Sequence, residues 1–245
     1  MKNVALVTGV GRTVGIGAAI AERLASDGWD IGFTYWSAYD ERMPWGRDEG
    51  EHDRIAATIK SYGAQCIPIE ANLEDPAAPE AIFNRLGTPP TALIMAHCES
   101  VDSGLLDTSI DSFDRHFAVN ARASWLLIKQ FAHRYKKKGH QGRIIALTSD
   151  AVVGNIPYGA SKAALDRITL AAAKELKHLG ITANAINPGP TDTGWMDATL
   201  KAEIIASTPL GRLGTPQDCA NLVAFLCSPE GGWINGQLLH SDGGI

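Results

Sequence analysis

No stretch of the sequence is apolar over about 18 residues, the least that a membrane-crossing helix needs. A helical membrane protein is therefore not expected. The first residues, Met1-Lys2-Asn3, run directly into a short apolar segment, too little for a secretion signal. Cysteine is scarce: Cys66, Cys98, Cys219 and Cys227 form no C-x-x-C pair and no Cys/His metal spacing. Reduced thiols, a cytoplasmic location and no metal are expected. Positive charge is short as well. The net charge is −5 and the longest basic block is Lys136-Lys137-Lys138, which speaks against a nucleic-acid surface. That triplet reads as the solvated end of a helix, with Gly139 just past it. No Ser/Pro/Gly-rich linker, internal repeat or low-complexity tract divides the chain. One domain over residues 1–245 is the economical expectation.

What is present is an ordinary globular composition, 45% hydrophobic and 20% charged, set out as alternating short apolar runs and longer helical patterns. Strands are expected over residues 4–7, 31–35, 65–70, 92–95, 144–147, 182–186 and 236–240. Helices are expected from Ile16 to near Gly28 and over 55–62, 78–86, 113–138, 158–179, 198–206 and 216–226. The wholly apolar runs Val4-Ala5-Leu6-Val7 and Ile144-Ile145-Ala146-Leu147 fit strands buried on both faces. Parallel neighbours need a crossover, so this alternation implies an α/β fold: a doubly wound, Rossmann-type parallel sheet of about seven strands with helices on both faces. Ligands then sit beyond the carboxyl ends of the strands.

The turn after the first strand is rich in glycine: Thr8-Gly9-Val10-Gly11-Arg12-Thr13-Val14-Gly15-Ile16-Gly17. Strand, glycine turn and helix is the setting a dinucleotide fingerprint requires. Glycines let the backbone approach a pyrophosphate, and the helix N-terminus offers free N–H groups and a positive dipole end. The second strand ends in Tyr35, Trp36 and Ser37, with no carboxylate of the kind that binds the ribose hydroxyls in NAD sites. Arg12 is a candidate partner for a 2′-phosphate. NADP(H) is favoured, with NAD(H) the alternative. Residues 36–53 are polar and turn-rich, long for such a connection, and their two tryptophans imply that they pack on something. A lid over the adenine end or a subunit contact are the two expectations. Asn72 and Leu73, after the third strand, would lie beside the adenine. Ala96 and His97, after the fourth, are candidate cofactor contacts, and His97 alternatively supports the fold.

Tyr158 and Lys162 stand four apart at the start of an apolar helix, hence on one face. An ammonium near a phenol favours the phenolate and lowers its pKa. Such a phenol can donate or accept a proton at a carbonyl or an alcohol. Spacing alone also fits an incidental tyrosine and lysine at a helix start.

Taken together, the glycine turn, Asn120 in Val119-Asn120, Ser149 after the fifth strand, Tyr158-x-x-x-Lys162, Asn187-Pro188-Gly189 with Thr191 and Thr193, and Gly211-Arg212-Leu213-Gly214-Thr215-Pro216 … Asp242-Gly243-Gly244 resemble the short-chain dehydrogenase/reductase (SDR) family. The tail is most similar to its 3-oxoacyl-carrier-protein reductase-like branch. The resemblance spans essentially the whole chain. It implies a ketone reductase or alcohol dehydrogenase acting on a small carbonyl or alcohol substrate. Tyr158 would be the proton donor and Lys162 would tune it and bind the nicotinamide ribose. Ser149 would hold the substrate oxygen, and Asn120 would support a proton-relay water. Pro188, Gly189 and Thr191 would lie along the nicotinamide. A mobile lid around residues 190–213 would place Trp195 and Met196 at the pocket, and a homotetramer or homodimer is implied. The other reading is a dinucleotide sensor or scaffold that has kept the fold and lost the chemistry.

Three features depart from the family. Five residues separate Gly9 from Gly15, a longer turn than usual, so Arg12 is displaced relative to the family's phosphate-binding arginine. Met95-Ala96-His97-Cys98 replaces Asn-Asn-Ala-Gly. Ser149 precedes Tyr158 by only nine residues, which reshapes the substrate pocket and brings Thr148 within reach of the serine's role. Asp150 reads as a solvated loop carboxylate, and Cys98 as a small buried residue. His116 and Asn120 share a helical face, but no acidic or thiol partner accompanies them for a metal.

Overall fold

The computed structural model describes residues 2–136 and 141–245. Its centre is one sheet of seven parallel strands in the order β3-β2-β1-β4-β5-β6-β7. The strands are β1 (Val4–Thr8), β2 (Asp30–Tyr35), β3 (Cys66–Glu70), β4 (Ala92–Met95), β5 (Gly142–Leu147), β6 (Ile181–Asn187) and β7 (Leu238–His240). β1, β4 and β5 are buried along nearly their whole length, which is why they read as unbroken apolar runs.

The helices are α1 (Ile16–Ser26), α2 (Ser37–Arg42), α3 (Glu51–Ser61), α4 (Ala78–Leu86), α5 (Ile110–His116), α6 (Ala123–Arg134), α7 (Ile156–Glu175), α8 (Ala198–Ser207) and α9 (Pro216–Cys227). Two apolar layers flank the sheet. One packs α1, α3 and α9 around Phe33, Ile20 and Val223. The other packs α4, α6 and α7 around Phe131, Leu127 and Leu165. The strand order reverses between β1 and β4, and the crevice opens there, as expected of a doubly wound sheet. Among the described residues no helix is long and apolar enough to cross a membrane.

Three sequence expectations are corrected. The region 36–53 is not simply a loop: Ser37–Arg42 is helical, and the next helix begins at Glu51 rather than Ile55. The single helix expected over 113–138 is α5 and α6 joined by a π-helical turn, Phe117–Arg122, and it ends at Arg134. Such a turn inserts one residue into the α-helical register. Trp125 faces outward, 50% exposed, while Ala121, Ala123, Leu127, Ile128 and Phe131 are buried. Lys136 lies beyond the helix end, while Lys137, Lys138 and Gly139 fall outside the described residues.

Candidate active site

The glycine turn is shaped by backbone contact. Gly9 has φ +76°, and a Cβ on it would stand 2.5 Å from His97 Cα. A Cβ on Gly17 would stand 2.5 Å from the Gly9 carbonyl oxygen. Only glycine lets α1 begin so close to β1 and to the end of β4. Gly15 N-caps α1 with no side-chain cap, and the first turn carries no acid. Its free N–H groups and positive dipole end suit an anion. The extended turn is tied down from outside, for Thr13 donates through both N–H (2.5 Å) and Oγ1 (2.7 Å) to Glu51 Oε1 at the start of α3.

A crevice of about 280 Å³ runs from this turn. Tyr35, Trp36, Asn72 and Leu73 line one end; Gly9, Gly15, Ile16, Gly17, Ala96 and His97 the middle; Leu147, Tyr158, Lys162 and Pro188 the other end. A crevice with an unsatisfied helix N-terminus and two glycines pressed against backbone along its middle fits a dinucleotide. Two of the cofactor candidates do not line the crevice. Gly189 sits at φ +60° packed on Asp242, and Thr191 Oγ1 donates back to the Pro188 carbonyl at 3.2 Å. Thr193 and Trp195 face the crevice instead.

Arg12 does line the crevice, its guanidinium lying 4.3 Å over the Trp45 ring, beside Gly194 and near the Asp40 carboxylate. At the end of β2 Tyr35 stacks on His52 at 4.3 Å. Burial and the nearby Glu70 and Asp53 push the Tyr35 phenol up, and the Arg47 guanidinium opposes them.

At the reacting end, Asn120 is buried inside the π-helical turn. Its Oδ1 accepts from the Glu99 N–H at 2.8 Å, and its Nδ2 donates to the Glu99 carbonyl and to Ser161 Oγ, each at 2.9 Å. Ser161 Oγ in turn donates to the Tyr158 carbonyl at 2.8 Å. Asn120 thus stitches the end of β4 to the first turn of α7 and stands behind the crevice wall, not in it. Ser149 hydrogen-bonds the Tyr158 phenol. It also lines a neighbouring hollow of about 460 Å³ with Asp150, Val152 and Ile156. Thr148, the residue before Ser149, lines both spaces.

The tuning expected of Lys162 is corrected. Its Nζ donates to the Leu147 carbonyl at 2.8 Å and stands 5.5 Å from the Tyr158 ring centroid, over the ring face. Burial, chiefly, pushes the Tyr158 phenol up from its ordinary 10.0 against the Ser149 hydrogen bond. Burial likewise pulls the Lys162 ammonium down. Desolvation favours the uncharged form of each. Cys98 is half-buried in the crevice beside both groups, not sealed in the core.

His97 takes over the bracing left by the missing asparagine. It is buried, with Nδ1 at 2.6 Å from Thr8 Oγ1 and Nε2 at 3.1 Å from the Val119 carbonyl. The Nε2–H donates to the carbonyl and the Thr8 hydroxyl donates to Nδ1, which joins β1, β4 and the π-helical turn. Burial, with Lys162 nearby, lowers its pKa to about 3. The folded chain holds the ring neutral, while the unfolded chain protonates it near pH ~6.5. Its stabilising contribution is complete above that value and is lost as pH falls towards 3. His97→Gln is expected to flatten the fall of Tm between neutral and acid pH. An unchanged acid limb would show that this ring is not the titrating brace. His116 is equally structural: its Nε2 accepts from the Val101 N–H at 3.1 Å. Among the described residues no cluster of His, Cys, Asp and Glu could hold a metal.

The sequence reading missed Tyr39, Asp40, Arg42, Trp45, Cys98 and Glu99, all of which line the crevice. The only available signal was the aromatic content of a segment otherwise made of turn residues.

Comparison with known proteins places these features. Residues 9–245 match the family described as enoyl-(acyl carrier protein) reductase. The uncharacterised oxidoreductase YjdA of Bacillus subtilis is 38% identical, covering 100% of this chain and 97% of its own. An NADPH-dependent aldehyde reductase-like chloroplastic protein of Arabidopsis thaliana is 36% identical, over 98% of this chain and 93% of its own. A blue fluorescent protein from a metagenomic library, solved in complex with NADPH, superposes with a TM-score of 0.86 at 35% identity, over 99% of this chain and 97% of its own.

Proposed function

The chain belongs to the short-chain dehydrogenase/reductase family and is an oxidoreductase, and from that premise we propose that it reduces a small ketone, of 3-oxoacyl or related type, with NADP(H), running in reverse on the secondary alcohol. The observation that carries this reading is the Tyr158 phenol, hydrogen-bonded to Ser149 at the end of a dinucleotide-shaped crevice and lying beneath the Lys162 ammonium. The nicotinamide supplies the hydride when bound. Tyr158 gives its proton to the carbonyl oxygen. Burial keeps the phenol protonated, which suits a donor. Ser149 releases the phenol and holds the substrate oxygen in its place. Lys162, fixed by Leu147, presents its remaining N–H donors to the nicotinamide ribose. Asn120 holds the Glu99 backbone and Ser161 so that α7 keeps Tyr158 and Lys162 in position. The lid is residues 190–213, with Trp195 at the crevice. Half-exposed Trp125 and almost fully exposed Trp233 are faces for the homotetramer, and the four free thiols agree with a cytoplasmic home.

The NADP(H) preference rests on the lack of a carboxylate on β2 itself and on Arg47 facing Tyr35. The NADPH-dependent relative and the NADPH complex support it. A charge-assisted contact to the 2′-phosphate is expected to make NADPH bind at least about tenfold more tightly than NADH. Fluorescence titration of the purified protein decides this, and tighter NADH binding would reverse the assignment. A carbonyl panel followed by loss of NADPH absorbance tests the reaction itself. Cofactor binding with no turnover across a broad panel would sink it.

A further inference from the structure

The short helix α2 lies along the crevice and is locked there from two sides. Arg42 forks onto the buried Glu99 carboxylate with Nη1 at 3.0 Å and Nη2 at 2.8 Å. Glu99 is the residue whose backbone Asn120 holds, so α2 is moored to the same point as the catalytic helix. On the other side Trp45 donates its indole N–H to Asp40 at 2.9 Å and meets Trp195 at 4.7 Å. Between these moorings stands Tyr39. Its ring lies 5.3 Å from the Arg42 guanidinium and 6.4 Å from the Trp45 ring.

The Tyr39 hydroxyl is shielded from solvent and has no hydrogen-bond partner. Among the described residues three other buried side-chain atoms share that condition, on Arg143, Asn155 and Asp166, and none of those residues lines the crevice. Buried polar atoms are rarely left unsatisfied, and an orphan costs the full desolvation of the group. An orphan facing a ligand crevice is the exception that binding explains. Its neighbours place it: Cys98 and Glu99 act on it, just past the end of β4. Cys98 acts on Tyr158 and Lys162 as well, so the hydroxyl stands on the reacting side of the glycine turn. On that side of the turn a bound dinucleotide carries the second, nicotinamide-side phosphate of its bridge. Burial, with Cys98 and Glu99 beside it, pushes the Tyr39 phenol up, so it stays a donor.

We propose that Tyr39 is a cofactor-binding residue whose phenolic O–H donates a hydrogen bond to the nicotinamide-side phosphate of the bridge, with α2 serving as a strap over that half of the dinucleotide. This inference rests on the proposed NADP(H)-dependent function. It adds to the backbone contacts of the glycine turn a side-chain contact from α2.

The test compares wild type with Tyr39→Phe by fluorescence titration against NADPH and against 2′,5′-ADP, which lacks the second phosphate of the bridge and the whole nicotinamide half. The variant is expected to bind NADPH about tenfold more weakly and 2′,5′-ADP within about twofold of wild type. Without ligand its Tm is expected to be equal or higher, because an unsatisfied buried hydroxyl has been removed; the rise in Tm on adding NADPH is expected to shrink. Unchanged NADPH affinity, equal weakening of both ligands, or a lower ligand-free Tm would each overturn the assignment. A wild type that binds neither NADPH nor NADH would defeat the functional reading and this one together. A wild type that binds NADPH beside a Tyr39→Phe variant that binds it equally well defeats this one alone.

Discussion

Tyr158→Phe is expected to lower kcat for carbonyl reduction by about three orders of magnitude, the upper part of what a positioned general acid contributes. The ring packing is conserved, so NADPH affinity should stay within about twofold. That split between turnover and binding separates a proton donor from a wall residue. The pH dependence carries a sign as well. Burial raises the folded phenol above its ordinary 10.0, so the donor form persists through neutral pH and reduction should not fall there on its account. Alcohol oxidation needs the deprotonated phenol and should climb as pH rises. Near-wild-type turnover by Tyr158→Phe, on a substrate that the wild type accepts, would remove the phenol from the chemistry.

The largest loss of stability should come from Asn120→Ala. Asn120 is 1% exposed and its amide makes three hydrogen bonds, to the Glu99 N–H, the Glu99 carbonyl and Ser161 Oγ. Truncation leaves a buried N–H and a buried carbonyl unsatisfied at about 1–3 kcal/mol each. A combined cost of about 3–5 kcal/mol corresponds to a fall in Tm on the order of 10 °C for a chain of this size. Thermal unfolding followed by circular dichroism reads it directly. A fall of less than about 2 °C would mean that the π-helical turn finds other partners and that the stitch between β4 and α7 is dispensable. Loss of turnover at temperatures where the variant is still folded would locate its role in positioning α7.

Much of the fold was legible because its signals are local. β1, β4 and β5 are buried on both faces, so their residues are apolar without interruption, and their limits fell within a residue or two. The glycine turn was legible because backbone meets backbone there, which only glycine permits. Tyr158 and Lys162 were found by their spacing, Asn120 and Ser149 by the resemblance of the whole pattern, and the fold brings the first two to one end of the crevice with Ser149 against the phenol. What stayed hidden depends on partners distant in sequence. Ser37–Arg42 is too short to show a helical period; it is moored by Arg42 to Glu99. The π-helical turn leaves no periodic trace. His97 could be suspected of bracing, but its partners Thr8 and Val119 lie on other elements. Four-residue spacing places Tyr158 and Lys162 on one face, yet it cannot show that the ammonium turns to the Leu147 carbonyl.

The contact between Trp45 and Trp195 joins a segment ahead of β3 to one that follows β6. Neither ring belongs to the apolar layers that hold the sheet. The roof of the crevice is therefore a latch between two stretches that the sheet does not need. Such a latch can part while every strand stays paired, at a fraction of the free energy of global unfolding. Separating its halves frees a long stretch of chain, and loop entropy grows only slowly with length, so closing it again is not heavily penalised. The molecule thus pairs a sheet held by its two apolar layers with a Trp45–Trp195 contact that stands outside both.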